Sequence, residues 1–213
     1  MQDYFMPGNC PAFLSHLYFS IETYSPNYIY STSIHFRIIQ KTYHMLSPSP
    51  TNVPGYFQLY INQVEETELF SALNNQTSGI SLFLNSISEE KSTYAYAVGK
   101  WTIKELLQHI IDTERIFCYR ALCIARGEKT ALPSFNENEY AGNSYANERS
   151  WEGLVNEFLL VRESSLLLFS SFRNHVIEVF GTAGSNSLSV SNIGFILVGH
   201  FNHHRKVLVE KYL

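Results

Sequence analysis

Charge is scarce in this chain: only 16% of its 213 residues are Asp, Glu, Lys or Arg, with 15 basic against 19 acidic side chains and a formal charge of -4. Neutralising a phosphate backbone takes a dense basic stripe, and none is present, so nucleic acid is not an expected partner. Cysteine is scarcer still. Cys10, Cys118 and Cys123 form an odd set without a Cys-x-x-Cys pair, which argues against a disulfide framework and for a reducing, cytoplasmic setting. Long apolar runs are missing too. The longest, Ile193 to Val198, is six residues with its glycine counted, against roughly 20 for a membrane-spanning helix, so no membrane association is expected. No Gly-x-Gly-x-x-Gly, P-loop or Gly-x-Ser-x-Gly occurs, which removes the common nucleotide-binding and acyl-transfer signatures. There is no internal repeat.

What is present is enough apolar material, 45% of the chain, for one sizeable core and one main domain. The first 50 residues differ from the rest. Their only charges are Asp3, Glu22, Arg37 and Lys41, yet they carry ten of the 29 Phe and Tyr residues and five of the seven prolines. Tyr28, Tyr30, Thr32, Ile34, Phe36 and Ile38 alternate with mostly polar neighbours and predict a strand. No basic segment precedes a continuous apolar core, so an export signal is not expected. Ser47-Pro48-Ser49-Pro50 and then Pro54-Gly55 read as a linker. The expected organisation is an aromatic- and proline-rich extension over 1–50 and a helical domain over 55–213.

Four long helical stripes follow. Leu69, Leu73, Ile80, Phe83, Leu84 and Ile87 predict a helix over about 66–89. After Trp101, Thr102 with Glu105 forms a capping box for a second helix carrying Ile103, Leu106, Ile110, Phe117, Leu122 and Ile124, ending at Arg126-Gly127. Ser150 caps a third, with Leu154, Phe158, Val161, Ser165, Leu168 and Phe172 inward. A fourth runs from Ser189 to about Tyr212 with Ile193, Ile196, Leu197, Val207 and Leu208 inward. Helices of this length, each with one apolar face, are satisfied together in an all-α four-helix bundle. Residues 90–101 and 173–188 would cross ends of it, and 127–149 is long enough for a lid or a short extra helix.

Three of the eight histidines fall within five residues, in Gly199-His200-Phe201-Asn202-His203-His204. Residues four apart share a helix face about 6 Å apart along the axis, so His200 and His204 can reach one ion at 2.0–2.1 Å, with His203 a competitor. Spacing alone fits equally well with ordinary surface histidines near a helix C-terminus, where cations meet the dipole favourably. His109 adds a third imidazole on the stripe Leu106, His109, Thr113, Ile116. Three such rings aimed into one cavity need a proton or a metal to satisfy their nitrogens. His16, His35, His44 and His175 have no such company. Asp112, Glu114 and Arg115 lie close to His109 and are candidates to orient ligands or accept a proton. Arg120 and Arg162 are candidate partners for these carboxylates, which reads alternatively as an ion-pair network between helices. Tyr119 and Tyr140 are weak candidates for a cavity mouth, and Cys118 and Cys123 read as buried small side chains.

Residues 101–120, Leu132-Pro133-Ser134-Phe135-Asn136-Glu137-Asn138 and the histidine cluster together resemble the DinB-like family of damage-inducible and bacillithiol-transferase-related proteins, over about 55–213. The resemblance implies an up-down-down-up bundle and a divalent-metal site of one histidine from the second helix and a His-x-x-x-His pair from the last, here His109, His200 and His204. His203 matches a position often histidine in the family without serving as ligand. The resemblance also implies thiol chemistry with a low-molecular-weight thiol as partner, and a homodimer for which Leu159, Leu160, Phe169 and Phe172 offer outward apolar positions. Three neutral imidazoles leave an open position on the ion, the arrangement of a catalytic site; zinc or nickel suits them, and a carboxylate-only cage for magnesium or calcium is lacking. The functions this leaves open are a metal-dependent thiol transferase or hydrolase, a metal- or thiol-binding stress protein without turnover, and a structural bundle with unused histidines. The paired Glu-x-x-His motifs of a ferritin-like di-iron protein are missing.

Overall fold

The computed structural model describes residues 53–213. The extension over 1–50, including the strand expected at 28–38, lies outside the described residues. Four long helices carry the described chain: α2 (Leu69–Asn85), α4 (Ile103–Ala125), α6 (Trp151–Ser171) and α8 (Val190–Val207), the last running on into a π-helical turn, Leu208–Tyr212. Shorter elements join them: α1 (Gly55–Ile61), α3 (Glu89–Ser92), α5 (Glu137–Asn143), α7 (Asn174–Ile177) and an antiparallel hairpin, β1 (Phe180–Ala183) with β2 (Asn186–Ser189). The four long helices pack side by side as a bundle, α4 against both α6 and α8 and α2 against the same two. No described helix is long and apolar enough to cross a membrane.

The caps explain the boundaries. At α4 the Thr102 hydroxyl accepts from the Glu105 amide at 3.1 Å while Glu105 accepts from the Thr102 amide at 2.7 Å. Ser150 accepts from the Gly153 amide at the start of α6. Ser189 and Asn192 form a second reciprocal box at α8. The first long helix is shorter than its stripe predicts. No side chain caps it at Glu68, and the chain turns after Asn85 into α3, capped by Ser88. Pro54-Gly55 is not linker but the start of α1, whose Phe57 amide bonds the Pro54 carbonyl at 2.9 Å.

Two apolar clusters fill the bundle. One takes Leu69, Leu73, Phe117, Ile124, Phe169, Ile193 and Ile196; the other takes Ile80, Leu84, Ile103, Ile110, Leu154, Phe158 and Phe201. Between them lies a polar level to which every long helix contributes: Gln76, Glu114, Arg162 and His200. Arg162 is fully buried and donates from Nε and NH2 to both Glu114 oxygens at 2.8 and 2.7 Å. Phe169 and Phe172 belong to the core and offer nothing to a dimer surface; Leu160 is exposed and Leu159 half-buried. Leu122, expected inward, is exposed at the end of α4.

The long connections wall one side of the bundle. Residues 127–149 contain α5 and a 3-10 turn, Ala146–Glu148, as their length suggested. Residues 173–188 hold the hairpin, which the sequence did not suggest. Leu132 ties the two connections together, its amide donating to the Thr182 carbonyl at 2.9 Å and its carbonyl accepting from the Gly184 amide at 2.7 Å.

Candidate metal centre

His109 lies in the N-terminal third of α4, half-buried at the edge of its apolar face, and His200 and His204 lie one turn apart on α8. The packing of α4 on α8 brings all three rings together. His109 Nε2 is 3.1 Å from His200 Nε2, and His204 Nε2 is 3.0 Å from the same atom. Ligand atoms of all three lie within 4.8 Å of one another. Two nitrogens on one tetrahedral ion at 2.0–2.1 Å stand about 3.3 Å apart, close to the two separations made by His200.

Protonation supports the same reading. Burial holds His109 far below its ordinary value, at about 4. His200 and His204 are also held well below theirs, by burial first and then by the neighbouring imidazoles. All three rings are therefore neutral at pH 7, each with one nitrogen lone pair. His200 Nε2 touches two other Nε2 atoms and can donate to one or accept from one, leaving the second contact unsatisfied. A cation at their centre accepts all three lone pairs at once. The cluster is thus capable of coordinating a divalent metal ion.

The surroundings fix the rings. Tyr60 of α1 meets His200 edge-on at 5.2 Å and His203 at 5.5 Å. This approach requires a glycine: a Cβ on Gly199 would stand 1.9 Å from the Tyr60 carbonyl oxygen. Trp101 lies over His109 at 4.8 Å. His203 packs on Tyr60 and His204 and stays outside the converging nitrogens. The cluster opens into a cavity of about 490 Å³, walled by Tyr60, Trp101, Thr113, Phe117, Arg120 and Phe135, among others, with Glu137 at its rim.

The structure does not bring Asp112, Glu114 or Arg115 into this cavity. Asp112 accepts from Gln108 at 2.9 Å, and burial raises its carboxyl. Glu114 is committed to Arg162 and to the Ser165 hydroxyl at 2.7 Å. Arg115 turns outward to Glu157, which Arg149 also pairs, beside a second hollow of about 620 Å³ that contains no histidine. The ion-pair alternative thus describes Glu114 and Arg162. Arg120, read as a partner for these carboxylates, instead lines the histidine cavity. Tyr119 and Tyr140 are exposed and outside the lining. Cys118 donates to the Ser165 hydroxyl, and burial pushes its thiol up to about 12, which removes it as a nucleophile. His175 is exposed on α7, and His16, His35 and His44 lie outside the described residues.

Tyr60, Trp101, Arg120 and Glu137 are the site residues that sequence reasoning did not place there. For Arg120 a signal existed: the stripe through His109, Thr113 and Ile116 continues to it at helical spacing. Tyr60 and Trp101 reach the histidines across the fold, and no local pattern marks them.

Comparison with known proteins bears on the fold and the family. A relative from Oceanobacillus iheyensis, whose name proposes a metal-dependent hydrolase, is 24% identical over 74 residues, 35% of this chain; the match spans 43% of the relative's length. Among solved structures, YfiT from Bacillus subtilis, described as a proposed metal-dependent hydrolase with an unusual four-helix bundle topology, superposes with a TM-score of 0.59. It is 12% identical, over 78% of this chain and 91% of that one, so the likeness concerns the fold. The model of the DinB superfamily matches residues 72–208, a span that takes in His109, His200 and His204 together with all four long helices from Ala72 onward. The chain belongs to the DinB superfamily.

Proposed function

We propose that the chain is a metal-dependent enzyme in which His109, His200 and His204 hold one divalent ion, zinc or nickel, through their Nε2 atoms, with the open side toward the cavity. The observation that carries this is the convergence of three neutral Nε2 atoms, two of them 3.0 and 3.1 Å from the third, where at most one of those two contacts can be a hydrogen bond. His109, His200 and His204 would hold the ion, which when bound would lower the pKa of a water or thiol and so supply a nucleophile near pH 7. The reaction is hydrolysis, or transfer of a low-molecular-weight thiol. The names of the two relatives favour hydrolysis, and the sequence resemblance favours the thiol. An up-down-down-up helix order underlies the site. Its support is that the N-terminal halves of α2 and α8 share one apolar cluster with the C-terminal halves of α4 and α6.

The chain's own residues divide the remaining work. Trp101 and Tyr60 hold the His109 and His200 rings and exclude water from their faces. Tyr60, pushed well above its ordinary value chiefly by burial, stays protonated and serves as a hydrogen-bond donor. Glu137, an exposed carboxylate in the cavity lining, is the group we assign to take a proton from the incoming nucleophile.

The test is the metal-to-protein ratio of untagged wild type and four single variants after dialysis in one low-chelator buffer. His109→Ala, His200→Ala and His204→Ala should each lose the metal, and His203→Ala should keep it. Ester, amide and thiol-transfer assays with and without added metal then distinguish the two reactions. Wild type that reconstitutes with less than about 0.1 equivalent of zinc, nickel, iron or manganese, or His109→Ala that binds like wild type, overturns the triad. A loaded protein that turns over none of these substrates would be a metal-binding protein instead.

A further inference from the structure

Three cationic side chains are buried in the described residues, and two of them have a carboxylate. Lys104 pairs with Glu89, and Arg162 with Glu114. Arg120, only 5% exposed, has none. Its guanidinium donates from NH2 to the Pro133 carbonyl at 2.7 Å and lies 4.9 Å from the Phe117 ring and 5.7 Å from the Phe135 ring. Burying an unpaired charge is costly, and such a charge is retained where something else neutralises it. Among the described residues no further side chain or carbonyl bonds its remaining N–H groups, none of them is both buried and unsatisfied, and Arg120 lines the cavity. Burial alone lowers its pKa, with no carboxylate holding it up. A second donor points the same way. Thr113, 4% exposed and one turn beyond His109, has a buried hydroxyl without a hydrogen-bond partner and lines the same cavity.

We propose that Arg120 is the anchor for a carboxylate group on the ligand of this cavity, so that the histidine centre acts on a small organic acid with an apolar body. Arg120 follows His109 by eleven residues on one stripe, and helical side chains lean toward the N-terminus. The two positions are therefore about 16 Å apart along the helix axis, with Thr113 between them on the same stripe. The planar guanidinium, held between two aromatic rings, presents its free edge to a planar carboxylate, the geometry of a bidentate pair. The volume, about 490 Å³, suits a ligand of small-metabolite size, whose apolar body meets Phe117, Phe135 and Ile196. As a statement about the substrate this rests on the metal-enzyme reading; as a statement about binding it does not.

The experiment uses the full chain stripped of metal by chelator, with 4-phenylbutyrate and its uncharged amide, 4-phenylbutanamide, as probes. Affinities are read by calorimetry and by the fluorescence of Trp101 in the cavity wall. The acid should bind wild type about tenfold or more tighter than the amide. Arg120→Gln should bring the acid to the amide's level and leave the amide unchanged, and Arg120→Lys should restore part of the preference. Equal binding of acid and amide by wild type, no binding of the acid up to about 10 mM, or an unchanged preference in a folded Arg120→Gln overturns the proposal. The wild-type comparison needs no variant, so it decides even if Arg120→Gln fails to fold. Metal is absent throughout. An acid preference in a protein that never takes up metal would sink the metal centre and keep the anchor, whereas metal uptake without acid preference would do the reverse.

Discussion

Replacing Glu114 by glutamine keeps the shape of the side chain and removes its charge, leaving the Arg162 guanidinium in the middle of the bundle with no counter-ion. Arg162 is 0% and Glu114 2% exposed, so water cannot take over. The pair is bidentate at 2.7 and 2.8 Å, and the third guanidinium nitrogen goes to Gln76. Gln76 in turn donates to the Val198 carbonyl and to Asn202, each at 2.8 Å, which carries the network to the helix bearing His200. Breaking one side of a buried pair costs about 3 to 5 kcal/mol. In a domain of this size that is a fall in Tm of about 10 °C. The double variant Glu114→Leu with Arg162→Met removes both charges and should cost less than the two single changes together, about 1 to 3 kcal/mol for the orphaned Gln76 carbonyl, since the Ser165 hydroxyl keeps the Val161 carbonyl at 2.9 Å. Thermal and urea unfolding of wild type, Glu114→Leu, Arg162→Met and the double variant closes a double-mutant cycle, with Glu114→Gln measured beside them. Glu114→Gln melting within about 2 °C of wild type, or single costs that simply add, would refute the claim that this pair bridges the two apolar clusters.

Two further perturbations test the site's walls and its protonation. Gly199→Ala places a methyl group 1.9 Å from the Tyr60 carbonyl oxygen, and since the obstacle is backbone, α1 has to move outward. The expected cost is about 1 to 3 kcal/mol, read by thermal melting, with weaker metal retention as Tyr60 leaves His200; a variant as stable as wild type would show that α1 is not fixed there. For the metal-stripped chain, the histidines have folded-state values below the ordinary 6.5, His109 at about 4, so the unfolded chain binds more protons as the pH falls. Stability is then fully present above about pH 6.5 and is lost toward pH 4, by about 3 kcal/mol from His109 alone. Urea midpoints that stay flat from pH 7 to about 4.5 would contradict the buried, neutral triad.

Physical range separates what was legible in the sequence from what was not. Helices α4, α6 and α8 begin where Thr102, Ser150 and Ser189 said they would, because a cap is a contact across three residues and is written locally. Helix α1 has no side-chain cap, and the strands of the hairpin are four residues each, too short to show alternation. That the three histidines meet was legible in part, since His200 and His204 are one turn apart and His109 sits on a named stripe, and the resemblance joined them as a set. The Tyr60 and Trp101 contacts were not, since they depend on how α1 and the turn before α4 fold back.

The interrupted stripes carry the deeper lesson. A helix that only had to fill a core would continue its apolar face without a break. Instead α2 spends a position on Gln76, α4 on His109, Thr113, Glu114 and Arg120, α6 on Arg162 and Ser165, and α8 on Gly199 and His200. Where two of these positions are complementary, as in Glu114 with Arg162, the interruption is closed within the protein and serves the fold. Where they are not, as in three mutually incompatible imidazoles, an unpaired Thr113 hydroxyl and an Arg120 without a carboxylate, the protein alone leaves the polar groups unsatisfied. All of those groups face one cavity, and the partners we propose for them are a metal ion and an anionic ligand, so the sequence positions that interrupt the core without closing within the protein are the ones that mark the candidate site.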